Sequence, residues 1–204
     1  IKRRIIGCDY PQGTKLSEAR LVEELGVGRS PIRSALARLR SEGWVEVSPQ
    51  SGSYVKRLTR QEMRDIFDFR ILLETHAVRV AARQITPESL RQLKVGLMTL
   101  THLANKAPSP LNAKEFSAFD SLVHATIYQA GGNSLVADAL RTLQEKALWM
   151  QKSTPSNPKR MTDLLKELRL IVEALEAGDP ELAAQRVQEH ISNAAAFEMA
   201  FAAP

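Results

Sequence analysis

The chain has 204 residues, enough for one or two domains, and 44% of them are apolar, as in an ordinary globular protein. Its formal charge is +5, and the whole excess lies in residues 1–58, which carry 11 Lys/Arg against 6 Asp/Glu, whereas residues 59–204 carry 17 of each. Charged residues interrupt every apolar run well short of a membrane span. With Cys8 the sole cysteine, an internal disulfide is excluded and the expected setting is a reducing cytoplasm, with Cys8 an inert thiol.

The opening segment IKRRIIG reads as the tail of a helix, so further residues are expected upstream of Ile1; no secretory signal pattern is visible. Ser17 is placed to cap a helix running to about Leu25, with Leu16, Leu21, Val22 and Leu25 as its apolar stripe, and Gly26 permits a turn. Ser30 followed by Pro31 predicts a second helix start, a capping hydroxyl and then a first-position proline. That helix buries Ile32, Leu36 and Leu39 and ends at Gly43. Val45-Glu46-Val47 and Ser53-Tyr54-Val55 alternate about a turn at Pro49-Gln50-Ser51-Gly52, which predicts a β-hairpin. Two short helices, a turn and a hairpin make a winged helix-turn-helix over residues 1–58.

From Thr59 the pattern is helical. Thr59-Arg60-Gln61-Glu62 is a capping box ahead of a helix to about Arg83. Further helices are expected from Thr86 to near Asn105, from Asn112 (capped with Glu115) to Gln129, from about Ser134 to Lys152, from about Lys159 to Ala177, and from Pro180 to about Phe201. Loops are expected at Lys106–Leu111 and Ser153–Pro158, a break at Gly131-Gly132, and a sharp corner at Gly178-Asp179-Pro180. The fold expected is mainly α: the winged helix-turn-helix followed by an antiparallel helical bundle over residues 59–204.

In such a motif the second helix enters the DNA major groove with its N-terminus leading. Arg29 and Arg33 lie four apart on one face, and a guanidinium pairs in a fork with guanine or clamps phosphate. Ser30 sits among the helix's first amides, which suit phosphate. Gln50, Ser51 and Gly52 at the hairpin tip are candidates for the minor groove or the backbone. Arg38 and Arg40 read as solvated helix surface.

Leu16-Ser17-Glu18, Leu25-Gly26-Val27, Arg29-Ser30-Pro31-Ile32-Arg33-Ser34-Ala35-Leu36, Leu39, Glu42-Gly43 and Gly52 together resemble the N-terminal domain of GntR-type bacterial transcription regulators. Arg70-Ile71-Leu72-Leu73-Glu74, Asp120-Ser121-Leu122-Val123-His124, Ala130-Gly131-Gly132-Asn133, Ala174-Leu175-Glu176-Ala177-Gly178-Asp179 and His190 resemble the FadR-like branch. Its all-helical C-terminal domain, of the FCD type, binds effectors and dimerises. Gly28 departs from the pattern, which usually has serine or threonine before the arginine; a hydroxyl contact to phosphate would be lost.

Asp120 and His124 share a helix face at i,i+4, and His190 lies on the last helix; a carboxylate with imidazoles suits zinc, nickel or manganese. By spacing alone, an i,i+4 Asp–His pair is more often a surface contact and a lone His190 more often a helix-surface residue. The resemblance implies a bundle-centre metal held by one Asp and three His. Asp120, His124 and His190 match three of these ligands, and Leu168 stands at the fourth. Glu167 and Arg169 are turned about 100° away from it. Two readings stay open: a divalent metal on three protein ligands, or a metal-free polar cavity for an organic acid. Arg70 is the candidate grip for an anionic effector, with an ion pair to Glu74 as the alternative. His76 and His102 read as ordinary surface histidines.

The function expected is a dimeric, ligand-responsive transcription regulator, a repressor rather than an enzyme. It would bind a near-palindromic operator, answer to a small carboxylate, and hinge at Lys56–Arg60. The rivals are a metal-dependent hydrolase built on the bundle and an effector-free architectural DNA-binding dimer.

Overall fold

A computed structural model describes residues 1–105, 110–155 and 157–201, and within these the side chains of all but 105 and 110–112. The loop expected at Lys106–Leu111 and the cap expected at Asn112 lie outside this description in whole or in part, as does Ser156. Among the described residues the order is α1 (Lys2–Ile6), α2 (Glu18–Leu25), α3 (Arg29–Ser41), β1 (Val45–Ser48), β2 (Gly52–Val55), α4 (Arg60–Gln84), α5 (Pro87–Asn105), α6 (Pro110–Ala130), α7 (Ser134–Ser153), α8 (Pro158–Ala177) and α9 (Pro180–Ala200). The expected fold is the one observed, a small winged helix-turn-helix followed by a helical bundle.

The capping chemistry explains most boundaries. The Thr59 hydroxyl accepts from the Glu62 amide while the Glu62 carboxylate accepts from the Thr59 amide, which completes the capping box at α4. Gly178 adopts a left-handed conformation (φ 63°) and ends α8; Asp179 then caps α9 through the amides of Glu181 and Leu182. The start of α3 differs from expectation. The helix begins at Arg29 with Gly28 as its cap residue, so Ser30 and Pro31 lie inside the first turn, and Ser17 caps α2 by position without a side-chain hydrogen bond. First-turn amides have no partner within the helix, so proline is tolerated one or two residues further in than the first position, and Ser-Pro does not mark a unique start.

The hairpin pairs antiparallel from Val45 opposite Val55 to Ser48 opposite Gly52, with Lys15 bridged to Tyr54 alongside. Two apolar clusters result. One lies within the bundle, where α4 is central and packs most closely on α9 and also on α6, α7 and α8. The other gathers Ile5, Tyr10, Leu16, Leu21, Ile32, Leu36, Leu39, Trp44, Val45 and Val55, together with Trp149 from α7. Trp44 and Trp149 are fully buried, with ring centroids 5.4 Å apart. Lys146 donates to the Gly43 carbonyl and lies over the Trp44 ring, while Lys2 pairs with Glu145, so the N-terminal cluster is seated on α7.

Candidate metal centre and nucleic-acid interface

Four bundle helices build one polar site in an apolar core. Along α4 the buried stripe runs Met63, Phe67, Arg70, Glu74, Ala77, Val78, Ala81, so an arginine and a glutamate occupy core positions. From α6 come Asp120 and His124, from α9 His190, and all three are buried. The three residues that the sequence singled out as metal ligands, from helices far apart in the chain, therefore meet at one point. His124 Nε2 and His190 Nε2 stand 3.2 Å apart, and Asp120 Oδ1 lies 3.2 Å from the second and 3.7 Å from the first.

The donor set fits a metal ion. His124 Nδ1 bonds to Glu74 Oε2 at 2.5 Å, and His190 Nδ1 to Glu167 Oε2 at 2.9 Å. An imidazole that donates its Nδ1 proton to a carboxylate keeps the Nε2 lone pair free for a metal. Both Nε2 atoms point at each other and at Asp120 Oδ1, a buried oxygen without a hydrogen-bond partner. Converging groups of this kind could hold a metal ion, although the Arg70 guanidinium also stands 3.5 Å from His124 Nε2; the ligands of a tetrahedral ion at about 2.1 Å stand roughly 3.4 Å apart, close to the separations here.

Leu168 is fully buried in the bundle core and offers no ligand. Glu167, expected to be turned away, has a side chain long enough to reach the back of His190. It also accepts two bonds from Arg160 at 2.8 and 3.1 Å and one from Asn193. Glu167 thus orients His190, and Glu74 does the same for His124. Of the two readings of Arg70, the ion pair is present: Nε donates to Glu74 Oε1 at 2.8 Å, and the same guanidinium lines the adjoining cavity. His76 and His102 are exposed, as expected.

Electrostatics follow from burial set against partners. Burial pushes the Glu74 carboxyl up, but Arg70 and His124 outweigh it and hold it at about 2. Asp120 is likewise pushed up by burial and drawn below the usual carboxylate range by His124 and His190. His190 loses by desolvation and gains more from Asp120 and Glu167, reaching about 9. Glu198, on α9, is the exception: burial dominates and raises it to about 8.

The site opens into a cavity of about 520 Å³ walled by α4, α6, α7, α8 and α9, a size that suits a small ligand. Arg70, Asp120 and His190 face it, with Gln144, Arg160 and Glu198. The sequence reading did not single out Glu198. The available signal was its place on the buried stripe of α9, seven residues after Ile191 and eight after His190.

At the other end of the molecule, Arg29, Ser30 and Arg33 are exposed on α3, opposite the face that buries Ile32, Leu36 and Leu39. Arg33 Nε is held by the Glu18 carboxylate at 2.8 Å, with the arginine side chain 68% exposed. Gln50, Ser51 and Gly52 form the exposed hairpin tip. Gly52 has φ +111°, a backbone conformation that side chains disfavour, so glycine is required there by the turn itself. Lys15, exposed beside the tip with its ammonium near the Tyr54 ring, adds a cation that the motif did not point to.

A winged helix-turn-helix joined to a helical bundle with a buried Asp/His/His centre defines a class of bacterial regulators. Residues 1–55 match the gntR family of bacterial regulatory proteins, and residues 65–193 match the FCD domain. The chain belongs to the GntR family, in its FCD-containing branch, and is a DNA-binding transcription regulator. It is 26% identical over 194 residues to the HTH-type transcriptional repressor RspR of Escherichia coli (strain K12), covering 94% of this chain and 82% of that protein. It is 27% identical over 198 residues to the gluconate operon transcriptional repressor of Bacillus subtilis (strain 168), covering 95% and 79%. The solved structure of E. coli McbR/YncC superposes with a TM-score of 0.78 at 23% identity, over 97% of this chain and 92% of that one, a likeness of fold. Among the described residues no helix is long and apolar enough to cross a membrane.

Proposed function

We propose that this regulator is a homodimeric repressor in which residues 1–58 read DNA and residues 59–204 dimerise and bind a small carboxylate effector. Arg29 and Arg33 would contact base edges or phosphates, with Ser30 near the backbone and Gln50, Ser51 and Gly52 at the minor groove. The positive excess of residues 1–58 and the exposure of these side chains support that assignment. Two copies related by a twofold axis would read a near-palindromic operator.

The observation that carries the effector reading is the convergence of Asp120, His124 and His190 on the wall of a 520 Å³ cavity, with Glu74 and Glu167 behind the two imidazoles. These three residues would hold a divalent ion such as zinc, nickel or manganese. Bound there, the ion supplies a Lewis-acidic point for an effector carboxylate. Glu74 and Glu167 fix the tautomer and orientation of the imidazoles, and Arg70, itself held by Glu74, adds positive charge to the same wall. An effector that binds one arrangement of the DNA-reading units better by about 1–3 kcal/mol changes operator affinity about 5–150-fold.

Two experiments test this reading. Protein purified without chelator should contain close to one equivalent of a divalent metal, with Asp120→Ala and His190→Ala depleted. A wild-type content below about a tenth of an equivalent would end the metal assignment. Binding to fragments of the protein's own promoter region should weaken steeply with added salt, and Arg33→Ala should cost roughly 1–3 kcal/mol with relaxed base preference. An unaltered footprint and affinity in Arg33→Ala would remove that residue from the interface.

A further inference from the structure

The cavity wall contains a second feature, separate from the metal-binding set. Glu198 on α9 is 7% exposed and faces the cavity, and its Oε2 is buried without a hydrogen-bond partner. An unpaired buried acceptor is costly, and a carboxylate oxygen is among the costliest. Several of the donors on the wall are already committed within the protein. Ser117 donates to Gln151, Ser121 to the Ser117 carbonyl, and Tyr128 to Gln144. Arg70 is paired with Glu74, and Arg160 with Glu167. Lys114 and Lys152, also on the wall, are exposed at its rim. No protein donor reaches Oε2, so a donor carried by the occupant of the cavity would complete it.

We propose that Glu198 selects the effector: the cavity takes a carboxylic acid bearing a hydroxyl or amino group, whose O–H or N–H is received by Glu198 while the acid group lies at the Asp120–His190 end. This rests on the carboxylate-effector reading above and narrows it to donor-substituted acids over plain alkyl acids. A site built around a buried polar group rejects the analogue that leaves the group unpaired far more strongly than it rejects a change of one methylene. The tendency of burial to keep Glu198 protonated up to about 8 is a further sign that nothing in the protein stabilises its charge.

The test uses the full chain with its metal content measured, and calorimetric titration with matched probes: butanoate, 4-hydroxybutanoate and 4-aminobutanoate, and hexanoate, 6-hydroxyhexanoate and 6-aminohexanoate. The wild type is expected to prefer a substituted acid over its plain partner by about tenfold or more, the ratio for one buried acceptor left unpaired. Glu198→Leu should abolish or invert that preference. Glu198→Gln, which keeps an acceptor oxygen but cannot ionise against an ammonium, should retain the hydroxy-acid preference and lose any preference for the amino acids, so the two arms tell hydroxyl from ammonium. Plain and substituted acids binding the wild type alike, or a ratio unchanged in Glu198→Leu with metal content intact, would overturn the role of Glu198 alone. If metal loads and operator binds but none of the acids does, the carboxylate reading falls and this proposal with it.

Discussion

Gly28 closes the N-terminal end of α3 with no side chain to offer the first amides or a phosphate. Its φ of −67° is open to any residue, and an added Cβ would meet Pro31 Cδ at an ordinary 3.9 Å. A serine fits there. Gly28→Ser is expected to stabilise the protein by a few tenths of a kcal/mol through the cap. It should also tighten promoter binding a few-fold through a new hydroxyl–phosphate bond worth about 1 kcal/mol. Thermal unfolding and a binding isotherm at fixed salt check the two effects separately; no gain in either would show that the hydroxyl reaches neither amide nor phosphate. At this scale the sequence was legible where chemistry and spacing agree. Asp120, His124 and His190 could be named because a known ligand pattern carried them. Glu74 could be read only as a local partner of Arg70, because an i,i+4 pair is complete on its own, and its second oxygen serves a histidine 50 positions away. Glu167 was set aside by helix angle, a rule that governs where Cβ points but not how far a glutamate reaches.

Among the elements, α7 has two roles written on opposite faces. Gln144, Ala147, Leu148 and Gln151 line the cavity, whereas Glu145, Lys146 and Trp149 hold the N-terminal cluster. A ligand that displaces this helix therefore moves the seat of the DNA-reading unit directly. Trp149→Ala is expected to cost about 3–5 kcal/mol, as for an emptied buried indole, and to loosen the N-terminal cluster while leaving the metal content of the bundle unchanged. Denaturation followed beside metal analysis checks this, and loss of metal in step with stability would mean that the two faces are not separable. Helix ends with complete capping chemistry, at Thr59 and at Gly178-Asp179-Pro180, were readable from the sequence. The start of α3 was not, because proline fits anywhere in a first turn. The stripe of α7 gave no sign that Trp149 belongs to the other cluster, since an apolar residue on a helix does not say which core it enters.

At the scale of the whole molecule, two apolar clusters meet along a seam closed by Trp44, Trp149, Lys146 and Lys2. Both indole N–H groups there are buried without acceptors. Each unmet donor weakens the closed arrangement by about 1–3 kcal/mol, which offsets part of what the packing and the Lys146 and Lys2 contacts supply, so the seam is well placed to yield when a ligand favours another arrangement. Within the expected hinge at Lys56–Arg60, Leu58 packs against both clusters and Arg60 donates to the Met199 carbonyl.

Because the chain contains two tryptophans and both sit at this junction, its native ultraviolet emission is a built-in reporter of how the head rides on the body. Acid ligands that release the promoter should shift the emission toward longer wavelength as water reaches the indoles, with no dye attached. A spectrum that stays constant while promoter affinity changes would show that the signal travels by a route that leaves this joint closed.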